Sequence, residues 1–133
     1  MRLGIAGAGM IVRGLFSFIH EVEGIELEAM ASTEKSIDKV RKLAKENHVK
    51  KAYLNYDELL NDEDIDVMYI ATPNHLHYQM CKQALEREKH VICEKPFTSR
   101  VEELEELSQL AKEKNLFLLE AISTQYLPCL LYT

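Results

Sequence analysis

Two glycines separated by one residue, Gly7-Ala8-Gly9, stand near the start of this 133-residue sequence, between an apolar run and a stretch of helical spacing. That pattern suits a diphosphate. Gly7 would let the chain turn tightly, and Gly9 would clear a side chain from the anion's path. The amides of Met10 and Ile11 would then face the anion from a helix N-terminus. Val12 stands where a third glycine is usual, which sets the helix slightly further from the strand. A turn glycine pair without a ligand is the bland alternative.

About twenty-five residues past Gly7 the chain reads Ala31-Ser32-Thr33-Glu34-Lys35. An acid at this strand tip would take the 2′-hydroxyl of an adenosine ribose and repel a 2′-phosphate. Ser32 and Thr33 can instead hydrogen-bond a phosphate, and Lys35 can neutralise it, so the segment leans toward NADP. Glu34 turned inward would reverse that preference. Ser32 or Thr33 serving only to cap the following helix is an equal alternative.

Two further segments carry reactive types, Thr72-Pro73-Asn74-His75-Leu76-His77 and Cys93-Glu94-Lys95-Pro96. Each follows an apolar run, at the strand end where open α/β sheets bind ligands. His75 and His77 lack a third ligand at fitting spacing, so the sequence points to no metal. His75 reads as a helix-start residue, and His20, His48 and His90 as surface or strand-entry residues. Cys93 reads as a small core residue rather than a nucleophile.

The elements that must position these groups alternate. Buried strands are expected over Arg2–Ala6, Ile25–Ala31, Asp66–Ala71, His90–Cys93 and Leu116–Leu119, with a weaker one at Lys51–Leu54. Helical spacing links them: Ile11 to Val22, Ile37 to Ala44, Met80 to Leu85 and Val101 to Ala111, with a short helix at Tyr56–Leu60. Ser99-Arg100-Val101-Glu102 fits a capping box for the last helix, and its glutamates read as a solvated face. Such alternation predicts an α/β class, doubly wound, with a mostly parallel six-stranded sheet and helices on both faces.

Composition narrows the class further. Charged residues make up 29% and apolar ones 47%, with a formal net charge of −6, as in a globular chain large enough for one core. The acid excess and the lack of basic runs argue against nucleic acid. No uncharged apolar run reaches the ~18 residues of a membrane span. The N-terminus is no signal peptide, because glycines break its apolar stretch at once. Cys81, Cys93 and Cys129, 12 and 36 positions apart, match neither a zinc spacing nor a disulfide framework. A reducing, cytoplasmic setting is expected.

Gly7-x-Gly9, Thr72-Pro73-Asn74-x-x-His77 and Glu94-Lys95-Pro96, in this order, resemble the N-terminal domain of the glucose-fructose oxidoreductase / inositol dehydrogenase / MocA family. The resemblance covers the chain to about Glu120. Phe117-Leu118-Leu119-Glu120-Ala121, with Pro128, is similar to the dihydrodiol and sugar dehydrogenase branch. It implies a Rossmann fold that binds NAD(P). Thr72, Pro73, Asn74 and His77 would line the central ribose and diphosphate. Glu94 would hold the nicotinamide ribose, and Lys95 would stand beside the reacting oxygen of a sugar, polyol or dihydrodiol. Pro96 would follow a cis peptide bond. The residue types suit this chemistry, since hydride transfer needs a proton donor or base at the oxygen, and lysine can be either.

The resemblance also implies a second α/β domain that 133 residues do not hold. Residues 1–120 would be the dinucleotide domain and 121–133 the start of a connection. Such a chain would be inactive alone, and its uncovered apolar surface would favour a homo-oligomer. Two alternatives come from other classes. A non-catalytic dinucleotide-sensing module needs no lysine at the nicotinamide end. A methyltransferase binding S-adenosylmethionine would want an acid where Ser32 stands.

Overall fold

The apolar runs pair side by side. In the computed structural model, which describes residues 1–121, six strands form one sheet. They are β1 (Arg2–Ala6), β2 (Glu26–Ala31), β3 (Lys51–Tyr53), β4 (Val67–Ile70), β5 (His90–Glu94) and β6 (Leu118–Ala121). Their order is β3-β2-β1-β4-β5-β6, and every pairing is parallel. The chain thus winds one way from β1 to β3 and the other way from β4 to β6. The reversal falls between β1 and β4, the place where doubly wound sheets hold their ligands. Of the expected connection at 121–133, Ala121 instead ends β6, paired with Glu94, and the remainder, with Pro128 and Cys129, lies outside the described residues.

Alternation along the strands sends side chains to two cores. Ile5, Met30 and Tyr69 pack with Val12, Leu15 and Phe16 of α1 (Met10–Phe16) and with Val40, Leu43 and Ala44 of α2 (Ile37–Glu46). Ala6, Ala31 and Ile70 point the other way. There they meet α3 (Tyr56–Leu60), α4 (His77–Glu86) and α5 (Val101–Glu113). Two helices cover one face and three the other, as expected of a Rossmann fold.

Three local expectations are corrected. The first helix does not run from Ile11 to Val22. It stops at Phe16, because the Ser17 hydroxyl and N–H both bond the Gly14 carbonyl and the Phe18 N–H reaches only to Leu15. These short-range bonds tighten the last turn, and a separate 3-10 turn follows at Ile19–Glu21. Ser99 does not cap α5. Arg100 holds the N-cap position in extended conformation, with no side-chain cap. A reciprocal arrangement sits instead on α3, where Asn55 accepts the Glu58 N–H and the Glu58 carboxylate accepts the Leu54 N–H. Finally, β6 starts at Leu118 rather than Leu116, since the Leu116 N–H is spent on the Ala111 carbonyl that closes α5.

That closure recurs. The N–H groups of Val49, Lys89 and Leu116 return to the carbonyls of Ala44, Ala84 and Ala111, five residues back. The residue before each, His48, Glu88 and Asn115, takes a left-handed conformation with φ of 58°, 62° and 57°. These are Schellman stops, a role usually taken by glycine.

The amino ends of the strands, opposite the reversal's ligand side, are locked by charge. Asp66 accepts from the Arg2 N–H at 2.8 Å and from its guanidinium. Asp62 is buried and accepts from Lys51, the Tyr53 hydroxyl and the Asp64 N–H. Burial alone would push the Asp62 carboxyl up, but these donors together hold it below its ordinary value. A carboxyl depressed on folding contributes stability that is fully present above its unfolded pKa and lost as pH falls through its folded one. Asp62→Asn should therefore destabilise the chain by about 1–3 kcal/mol at pH 7. The gap from wild type should narrow below about pH 4. Urea unfolding at pH 7 and pH 3 would measure both, and a gap that is constant with pH would refute the assignment.

Candidate functional site

The carboxyl ends of β1, β2 and β4 converge on Gly7. Its N–H donates to the Ala31 carbonyl at 2.8 Å, while the Ala71 N–H donates to the Ala6 carbonyl at 2.8 Å. Gly7 takes φ of +127°, and a Cβ there would lie 2.5 Å from the Ala71 carbonyl oxygen. Both conformation and space demand glycine here. Gly9 differs. Its φ of −88° suits any residue, and a Cβ would meet nothing within 4 Å. Among the described residues the fold gives no reason for glycine at this position. Beyond it, Met10 and Ile11 are exposed, and α1 makes its first backbone bond only from Arg13 to Gly9. The amides of its first turn thus remain available to an anion.

The β4 and β5 loops are tied together by His77. Its Nε2 lies 2.8 Å from the Thr72 carbonyl oxygen and its Nδ1 lies 2.8 Å from the Pro96 carbonyl oxygen. The ring thus bridges two backbone carbonyls that belong to different loops. His77 is 1% exposed, its ring enclosed within the protein. It can serve a ligand only through the loops it joins. Pro73 and Asn74 are exposed at the start of a 3-10 turn that also carries His75. Thr72 is buried, and its hydroxyl has no hydrogen-bond partner among the described residues. Burying an unpaired hydroxyl is costly, so this one fits a site completed by a ligand.

Glu94 ends β5 half-buried, and Lys95 follows it exposed, before a cis bond to Pro96 as the resemblance implied. The buried Tyr69 hydroxyl donates to Glu94 Oε1. Burial first, and Glu94 second, push the Tyr69 phenol far above its ordinary range. Sequence reasoning missed Tyr69. The signal was a lone hydroxyl on an apolar strand, which needs a buried partner. On the other side of the strand, Cys81 and burial push the Cys93 thiol up, so it stays protonated as a core residue.

At the end of β2, Ser32 is buried while Thr33, Glu34 and Lys35 are exposed. Thr33 begins a 3-10 turn without capping it, and its hydroxyl meets that of Ser36 at 3.2 Å. The structure therefore brings Gly7, Gly9, Ser32, Thr72 and Glu94 onto adjacent strand ends. Among the described residues, no group of three or more His, Cys, Asp or Glu side chains could hold a metal ion. Nor is any helix there long and apolar enough to cross a membrane.

Residues 1–121 match the model of an oxidoreductase family described as having an NAD-binding Rossmann fold. The chain belongs to the glucose-fructose oxidoreductase / inositol dehydrogenase / MocA family. It is 36% identical over 117 residues to the D-xylose 1-dehydrogenase (NADP(+)) of Hypocrea jecorina, covering 88% of this chain and 29% of the relative. Identity to the scyllo-inositol 2-dehydrogenase (NADP(+)) of Bacillus subtilis is 31% over 128 residues, covering 96% of this chain and 38% of that one. A 3-ketoreductase from Actinomadura kijaniata, solved with TDP-benzene and NADP, superimposes with a TM-score of 0.88 at 28% identity. That match covers 97% of this chain and 40% of the reductase. The chain thus spans 29% to 40% of the length of these family members.

The two glycines should separate under mutation. Gly7→Ala should cost at least about 1–3 kcal/mol of stability, from backbone strain together with the clash against the Ala71 carbonyl. Gly9→Ala should keep stability within about 1 kcal/mol of wild type. It should still weaken NADP(H) binding by roughly tenfold, about 1.4 kcal/mol. Thermal unfolding and calorimetric titration check the pair, and unchanged affinity in Gly9→Ala would remove the cradle.

Proposed function

We propose that this chain is the dinucleotide-binding domain of an oxidoreductase that moves a hydride between a nicotinamide and a sugar, polyol or similar hydroxyl compound. Gly9 carries the reading, as a glycine that the fold does not need, at the point where the sheet's winding reverses. Met10 and Ile11 amides take the diphosphate. Thr72, Pro73 and Asn74 line it and the central ribose, with the Thr72 hydroxyl, unpartnered among the described residues, as a donor. Glu94 accepts from the hydroxyls of the nicotinamide ribose. The bound nicotinamide supplies the hydride acceptor or donor. Lys95, exposed beyond the strand tip, gives a proton to the substrate oxygen or takes one from it. His77 holds the Thr72 and Pro96 loops at fixed separation, which near-attack geometry requires. The working partner is a small hydroxylated substrate, and a reducing cytoplasm suits the two buried free thiols, Cys81 and Cys93.

The end of β2 supports NADP over NAD. Ser32 stands where an acid would repel a 2′-phosphate, and Thr33 and Lys35 are open to bind one. Two relatives of this chain are named as NADP enzymes, which points the same way.

Calorimetric titration of the chain should give tighter binding of NADPH than NADH. Lys35→Ala should weaken NADPH by about fivefold, roughly 1 kcal/mol, and leave NADH unchanged. Equal affinity for the two would remove the β2 assignment. In any form of the protein that turns over a hydroxyl substrate, Lys95→Ala should cut kcat by about 10²–10⁴-fold. Dinucleotide affinity should stay within about threefold, roughly 0.7 kcal/mol. Retained turnover would exclude Lys95 from the proton transfer.

A further inference from the structure

Tyr69 is the one hydroxyl-bearing side chain on β4, whose other residues are Val67, Met68 and Ile70. Its ring fills the core shared with Ile5, Val12 and Val67, a volume that phenylalanine would fill equally well. The hydroxyl is what distinguishes tyrosine here. Among the described residues, that hydroxyl bonds only the Glu94 carboxylate. Register explains the meeting. Tyr69 lies opposite Ile92 in the parallel pairing, and Glu94 is two residues further along the same face of β5, within diagonal reach of an aromatic side chain. Glu94 accepts through Oε1, and its carboxylate has no other hydrogen bond among the described residues.

We infer that Tyr69 is a positioning residue for the nicotinamide end of the site: its hydroxyl holds one oxygen of Glu94 so that the other is presented to the second ribose. This rests on the reading of Glu94 as the ribose-holding carboxylate. A carboxylate at a strand tip otherwise swings between rotamers and loses that freedom when a ligand binds. The Tyr69 bond removes the freedom beforehand, so the ribose meets an acceptor already in place. A neighbouring loop residue could not do this as well, because β4 and β5 are hydrogen-bonded along their length and fix the distance between donor and acceptor.

Tyr69→Phe in the full chain, titrated with NADP+ and separately with ADP, tests this. ADP carries the adenosine and diphosphate but lacks the second ribose. The variant should bind NADP+ about three- to tenfold more weakly and ADP within about twofold of wild type. In a Glu94→Ala background, the same substitution should produce no further loss for NADP+. Equal weakening of both ligands, or a Tyr69→Phe effect that persists without Glu94, would assign Tyr69 to packing and overturn the inference. Unchanged NADP+ binding would overturn it too. A wild-type chain that binds neither ligand would instead overturn the dinucleotide site itself, an outcome visible before any variant is made.

Discussion

One close approach organises the molecule. At Gly7 the chain leaves β1 between two neighbours, bonding the Ala31 carbonyl on one side and resting against the Ala71 carbonyl on the other. No side chain fits in that gap. The three strand ends are therefore brought within backbone contact, and the loops that leave them open outward side by side. Everything assigned to the cleft depends on that spacing: Gly9 beyond the turn, Ser32 past β2, Thr72 past β4. The second tie is His77, which carries the same proximity one strand further, from the β4 loop to the β5 loop. Two small elements, a missing side chain and a buried ring, thus align residues from four strands.

The polar groups divide by purpose along the sheet. At the amino ends nearly every charge is answered: Asp66 by Arg2, Asp62 by Lys51 and Tyr53, and the Lys89 ammonium by the Asp62 and Ile65 carbonyls. Burial lowers the pKa of Lys89, and those two carbonyls accept from it in place of water. At the carboxyl ends the balance is different. Among the described residues the Thr72 hydroxyl has no partner, the first amides of α1 have no intrahelical acceptor, and Lys95 stands exposed. One end answers its polar groups within the protein, and the other leaves several of them without a partner among the described residues.

Much of this was legible in the sequence, and the failures have local causes. Strand positions followed from apolar runs, because a parallel sheet covered on both faces buries its central strands. The edge strand β6, expected to be buried, leaves Leu119 and Glu120 exposed. The glycine pair, the Thr72–His77 segment and Glu94-Lys95-Pro96 were visible as motifs. Their mutual approach was not, since it depends on strand order. The inward turn of His77 was hidden for the same reason: its acceptors lie 5 and 19 residues away, on two different loops. The end of α1 was misplaced because apolar spacing continues through Ile19 and Val22 while the backbone bonds do not. Tyr69 lies in a strand expected to be buried, and only the register between β4 and β5 reveals what its oxygen touches.

The three Schellman stops have a consequence for the chain's capacity to change. His48, Glu88 and Asn115 each adopt a backbone shape that their side chains resist, histidine and glutamate more than asparagine. All three lie where helices descend to begin a strand, remote from the ligand end of the sheet. Glycine at 48 or 88 would relieve that resistance without altering a single group at the cleft. The fold therefore holds untapped thermal tolerance, and mutations that remodel substrate choice but weaken the scaffold could draw on it.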